Sequence, residues 1–201
     1  MTTIEWRAIG SLVLAALAIM GTPGPATISL TVTGSAFGVR RSMRYLAGII
    51  VGTTVVLVAV ATGITAALLT IPAARPALTA IAVIYILRLA YLVATAPPLT
   101  TRGPAGEPPT LSGGVLLGIA NPKAWVAIAA VFAGARISHA AATDALAKVV
   151  VLVAMIVLIN ATWLVAGASF APALRDPRRA RVINVVLAVV LVGAMALAIL
   201  E

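Results

Sequence analysis

The chain has 201 residues, 62% of them hydrophobic and 9% charged, with fourteen basic and five acidic side chains, one histidine and no cysteine. A soluble domain of this length needs a polar surface that so few charges cannot cover, whereas a lipid-facing surface needs none, so the composition describes a membrane protein and excludes soluble enzyme folds. Without cysteine there are no disulfides, thiolate nucleophiles or iron–sulfur sites, and one histidine cannot build a multi-histidine metal site, so neither metal nor cofactor is expected.

A transmembrane helix needs roughly 20 apolar residues. Apolar runs separated by Pro, Gly and Arg predict six, at about 8–31, 45–69, 77–96, 113–134, 149–170 and 182–200. The first is expected to be a retained span and not a cleavable leader, because Glu5 and Arg7 leave its flank without net charge and the run continues past Gly24. Span 1 carries a breaker near its middle, Gly21-Thr22-Pro23-Gly24-Pro25, and span 4 carries Asn121-Pro122-Lys123 at the corresponding place. Proline removes a backbone donor and clashes with the preceding turn, so each span should be interrupted there and a new half-helix should begin. Thr22-Pro23 and Asn121-Pro122 both fit the pattern of a polar N-cap followed by proline at the first helical position.

Between spans 3 and 4, residues 97–112 are rich in Pro, Gly and Thr and read as an irregular tether. The cut gives two three-span repeats, 1–96 and 113–201. Three is odd, so equivalent spans cross the membrane in opposite directions, which is the inverted-repeat plan of many secondary transporters. The expected fold is therefore an all-α membrane protein of six transmembrane helices in two inverted three-helix repeats, with spans 1 and 4 broken near the midplane. Positive half-helix ends would then face the membrane centre from both halves, a setting suited to a carboxylate.

The net charge of +9 does not indicate nucleic acid, because the bases lie in short loops without interleaved aromatics. They report topology instead. Arg40, Arg41, Arg44, Arg102, Arg175, Arg178, Arg179 and Arg181 fall on one side, against Arg7, Arg75, Arg136 and Lys148 on the other. The richer side is cytoplasmic by the positive-inside rule, which makes the tether cytoplasmic and places both termini outside.

Two sets of motifs carry a resemblance. Thr22-Pro23-Gly24-Pro25, then Gly34-Ser35-Ala36-Phe37-Gly38-Val39-Arg40-Arg41 and the Gly48/Gly52 pair, resemble the amino-terminal signature of the LysE/RhtB family of amino-acid exporters, and Asn121-Pro122-Lys123-Ala124-Trp125 resembles its fourth-helix signature. With six spans and this length, the likeness covers essentially the whole chain. It implies export of amino acids or small amine metabolites across a bacterial inner membrane, driven by the proton-motive force. Family members often carry Asn or Asp directly after the Pro-Gly-Pro run and an acid early in span 2; this chain has Ala26, and Thr53-Thr54.

Ionisable groups inside spans are functional candidates, because a charge at the bilayer centre costs roughly 2.5–3.5 kcal/mol on insertion scales. Lys123 can hold a substrate carboxylate, carry a proton, or serve as a fixed cation on carbonyls exposed by the break. Arg88, with Tyr85 and Tyr91 three residues to either side, forms a stripe expected to face the bundle interior, unless the arginine reaches back toward the cytoplasmic end. No acid falls in a predicted span, so no carboxylate proton relay is expected, and the proton would ride on Lys123, on the substrate amine or on His139. Asn160 reads as interhelical glue, and Thr27, Ser29 and Thr31 bond either a substrate or their own helix. Gly48/Gly52 and Gly114/Gly118 read as close packing inside the bundle, with homodimer contact as the alternative.

The substrate site is expected at Thr22, Pro23, Gly24, Pro25, Asn121, Pro122 and Lys123, with Tyr85 and Arg88 beside it. The lack of an intramembrane acid favours a neutral amino acid, since a buried cationic side chain wants a counter-charge. The competing reading is a membrane scaffold or accessory subunit without transport activity. An intramembrane enzyme would need a serine–lysine pair, and Ser112 is too far from Lys123 in sequence to supply one reliably.

Overall fold

A computed structural model describes residues 5–63, 73–95, 107–169 and 176–200. Its elements are α1 (Trp6–Met20), α2 (Pro25–Ala61), α3 (Ala74–Ala94), α4 (Leu111–Ala120), α5 (Pro122–Ala133), α6 (Ala141–Ala168) and α7 (Pro177–Leu200). By length and apolar composition α2 and α6 each hold enough apolar helix to cross a bilayer, and α4 with α5 can do so if the pair, bent by 60°, is one span. The end of span 2, most of the tether and Arg175 lie outside the described residues.

Both predicted interruptions are present. α1 stops at Met20 and α2 starts at Pro25, while α4 and α5 are separated by Asn121 alone. The expected loop at 32–44 is not a loop. Residues 25–37 and 39–61 are both helical, and the chain reverses between them at Gly38, whose φ of 74° and ψ of 169° suit only glycine. Ser42 Oγ fastens this turn by donating to Gly38 O at 2.7 Å and Thr33 O at 3.2 Å, and Arg41 lies over the Phe37 ring, 5.7 Å from its centroid. Arginine is a good helix former, so a charged stretch at a membrane edge need not unwind.

The helices interlock through glycine. A Cβ on Gly48 or Gly52 would meet the backbone of α4 at Leu111 or Val115, and one on Gly114 or Gly118 would meet the backbone of α2 at Tyr45 or Ile49. These four glycines are thus occupied within the chain, and a dimer would have to use another face. Gly34 and Gly167 make the equivalent close approach between the first segment of α2 and α6. Close backbone contact of this kind supplies the van der Waals packing that drives helix association in lipid. α3 and α7 pack on each other. Many Val and Leu side chains of α6 and α7, among them Leu158, Val165, Val182 and Val189, are exposed, as a lipid-facing surface requires.

Candidate functional site

The first break exposes carbonyls that a continuous helix would have paired, and inside a membrane each needs a donor. Side chains supply them. Thr22 Oγ1 donates to Ile19 O at 2.8 Å, and the Trp163 indole donates to Gly21 O at 3.2 Å. Lys123 Nζ donates to Thr22 O at 2.8 Å, to Pro23 O at 2.9 Å and to Thr22 Oγ1. Lys123 sits in the first turn of α5, at the positive end of its own helix dipole, where a cation is disfavoured. The carbonyls just beyond the negative end of α1 offset that cost, so the charge of one half is stabilised by the broken backbone of the other.

The new helix after the first break starts later than the sequence pattern implied. Gly24 is the N-cap and Pro25 the first helical residue, instead of Thr22 and Pro23. Gly24 N donates to Thr27 Oγ1 at 2.8 Å, and that hydroxyl donates back to Gly24 O at 3.1 Å. Two prolines two residues apart both fit a helix start; Thr22 and Pro23 lie outside the helix, and their carbonyls accept from Lys123. A Cβ on Gly24 would lie 2.7 Å from Lys123 Cδ, so the glycine leaves the space that the lysine stem crosses.

The second break has the expected arrangement, Asn121 as N-cap and Pro122 at the first helical position, yet the Asn121 side chain makes no capping bond. Trp125 Nε1 reaches back across the break to Ile119 O at 2.7 Å.

The two breaks open onto one cavity of about 50 Å³, lined by Thr22, Gly24, Thr27, Thr53, Asn121, Lys123 and Asn160 together with Met20, Ile128, Ile156 and Ile159. Lys123 is the only formally charged side chain among the described residues of this lining. Thr53 occupies it where family members often carry an acid. The seven residues expected at the breaks therefore come together: Thr22, Gly24, Asn121 and Lys123 line the cavity, Pro23 gives a carbonyl, and Pro25 and Pro122 start the half-helices.

Tyr85 and Arg88 do not join them. Ile86, Leu89 and Ala90 take the buried face of α3, Arg88 and Tyr91 point outward, and Tyr85 lies half-buried against Gly113 near the start of α4. Spacing of three residues fixes a shared face without saying which way it looks. The hydroxyls of Ser29 and Thr31 bond their own helix, at Ala26 O and Thr27 O. Asn160 does not act as interhelical glue among the described residues: its Nδ2 donates to Ile156 O at 2.8 Å within its own helix, and its Oδ1 is buried with no partner among them.

Charge also enters α6, which begins eight residues before the predicted span. Asp144 and Lys148 pair at 2.8 Å, Lys148 is 6% exposed and lies 5.0 Å from the Phe132 ring centroid, and Asp144 Oδ1 accepts from Ile137 N and Ser138 N. Lys148 is thus no loop base. His139 is exposed, 3.7 Å from Glu5.

A family model described as LysE type translocator matches residues 9–200. No curated protein and no solved structure matches the chain. The chain belongs to the LysE type translocators, a family of transporters rather than enzymes.

Proposed function

We propose that this LysE type translocator exports neutral amino acids, or small amine metabolites of similar size, from the bacterial cytoplasm by alternating access at the cavity between its two breaks. It crosses the membrane six times. α1 with residues 25–37 forms the first span, residues 39–61 the second, α3 the third, α4 with α5 the fourth, and α6 and α7 the last two. Residues 1–96 and 113–201 are inverted repeats about the cytoplasmic tether, with both termini outside. The glycine contacts support this plan, because the first span of each half packs closely on the second span of the other.

One observation carries the reading: Lys123, from the fourth span, is bonded to two of the carbonyls exposed by the break in the first. The cation therefore sits between the halves that must rock apart. Substrate carboxylate competes with those carbonyls for Lys123, so loading the site loosens the bond between halves, and release restores it. The cavity is small beside the roughly 300–1,000 Å³ of pockets for drug-sized ligands, which suits the head of a small metabolite. No carboxylate among the described lining residues could pair with a cationic substrate side chain, which favours neutral amino acids. Export is driven by the proton gradient, with the proton entering against substrate efflux.

The test is efflux from proteoliposomes loaded with a radiolabelled panel of neutral, basic and acidic amino acids under an imposed pH gradient. Neutral amino acids should leave faster than from empty liposomes, and a protonophore should abolish the acceleration. Absence of efflux across the panel would favour the scaffold reading, in which Lys123 only fastens a bent helix.

A further inference from the structure

Two atoms in the cavity are unexplained by the reading above. Asn121 and Asn160 are 5% and 6% exposed, both line the cavity, and the Oδ1 of each is buried with no hydrogen-bond partner among the described residues. A buried amide oxygen without a donor is costly, and nearly all such groups in folded proteins are paired. The orientation of Asn160 is fixed by the bond from its Nδ2 to Ile156 O; turning the amide over would set oxygen against oxygen. Asn121 occupies a helix N-cap, where its oxygen would ordinarily accept from its own helix, and it does not. Among the described residues, neither makes a bond to another helix that would account for its presence. Both oxygens therefore await a donor that the described residues do not supply, in a cavity whose only charge among those residues is the Lys123 cation.

A free cation would be repelled by Lys123, and a simple anion would leave both oxygens unmatched. A zwitterion satisfies both requirements, since its carboxylate faces the lysine and its ammonium brings three N–H donors. We propose that the carboxamide oxygens of Asn121 and Asn160 receive the primary ammonium group of the transported molecule, and so make the amine itself the feature that this translocator selects. The assignment rests on the exporter reading above and adds the residues that recognise the second charged end. The apolar part of the substrate then lies along Ile128, Ile156 and Ile159. A site built around an N–H donor discriminates strongly against an analogue that lacks it, because its own acceptors are left unpaired.

The test is equilibrium binding to the purified full-length protein in nanodiscs, read by the fluorescence of its tryptophans, of which Trp125 and Trp163 flank the breaks. The probes are three matched pairs differing only in the amine: L-leucine with 4-methylpentanoate, L-alanine with propionate, and L-threonine with 3-hydroxybutanoate. In the wild type the amino acid of at least one pair should bind tighter by on the order of tenfold or more. Asn160→Leu should erase that preference, mainly by weakening the amino acid, while its thermal midpoint stays level or rises, since a buried unpaired oxygen has been removed. A purely structural asparagine would give the opposite pattern, a lower midpoint with the preference intact. Asn160→Asp, which keeps the oxygen, should retain the preference. Equal binding of both members of every pair by the wild type, or an undiminished preference in Asn160→Leu, would overturn the assignment alone. A wild type that binds no member of any pair would overturn the exporter reading as well.

Discussion

The two breaks are built differently. The first spans residues 21–24, and its carbonyls at Ile19, Gly21, Thr22 and Pro23 are met by Thr22, Trp163 and Lys123, so distant parts of the chain close it. The second is a single residue, Asn121, bridged locally by Trp125 to Ile119 O, and it leaves an amide oxygen without a partner among the described residues. One side of the cavity is saturated by the other half of the protein, and the other side keeps an acceptor open. A pair of breaks can thus be matched in position and proline content yet differ in build, one closed by distant parts of the chain and the other keeping an acceptor open.

The strongest way to break this comparison is Lys123→Met, which keeps the length of the stem and removes the charge. Loss of a charged hydrogen bond worth about 1.5–3 kcal/mol should slow export by about 10- to 150-fold and lower the thermal midpoint, with membrane insertion preserved. Wild-type efflux rates from this variant would remove the lysine from the site.

The indoles separate the two breaks directly. Trp163→Phe strips the donor from Gly21 O and Trp125→Phe strips it from Ile119 O, and each should cost about 1–3 kcal/mol in chemical unfolding, because a buried carbonyl is left unpaired. If the first break is the fastening between halves, Trp163→Phe should alter export more than Trp125→Phe does.

A position outside both breaks serves as control. Gly38→Ala places a side chain at a φ of 74°, a conformation costing about 1–3 kcal/mol for a residue other than glycine. It should lower the midpoint while leaving substrate affinity unchanged, since Gly38 does not line the cavity.

The smallest effect concerns Asp176, whose carboxylate accepts from the backbone N–H groups of Arg179 and Arg178 at the start of α7 and is held by them below the ordinary carboxylate range. A lowered value in the folded state means that its contribution is complete above the unfolded carboxyl value and is lost as pH falls through the folded one. Asp176→Ala should therefore lower the midpoint slightly at neutral pH, and the difference from wild type should vanish in acid.

The breaks and the glycine pairs were legible in the sequence because their causes are local: proline lacks a donor, and glycine lacks a Cβ. What escaped depended on direction or on long-range contact. The choice of Gly24-Pro25 over Thr22-Pro23 accompanies the contact of the Thr22 and Pro23 carbonyls with Lys123, a hundred residues away. Arg88 and Tyr91 share a face as their spacing implied, but only the packing of α3 shows that the face looks outward. The arginines after Gly38 suggested a loop, since hydropathy registers charge and not the one positive φ that lets a helix reverse. The same blindness placed the start of α6 past Asp144 and Lys148, which cancel each other. Asn160, one polar residue in an apolar run, gave no sign of which way its oxygen points.

The absence of native cysteine allows the central claim to be tested with a single thiol. Ala127 lines the cavity and is buried, so Ala127→Cys in membrane vesicles should react slowly with a small water-soluble thiol reagent, and an exported neutral amino acid should slow it further. That protection should disappear when Lys123→Met is added. Labelling at the same rate with and without amino acid, or protection that survives loss of the lysine, would contradict a substrate site formed where the two breaks meet.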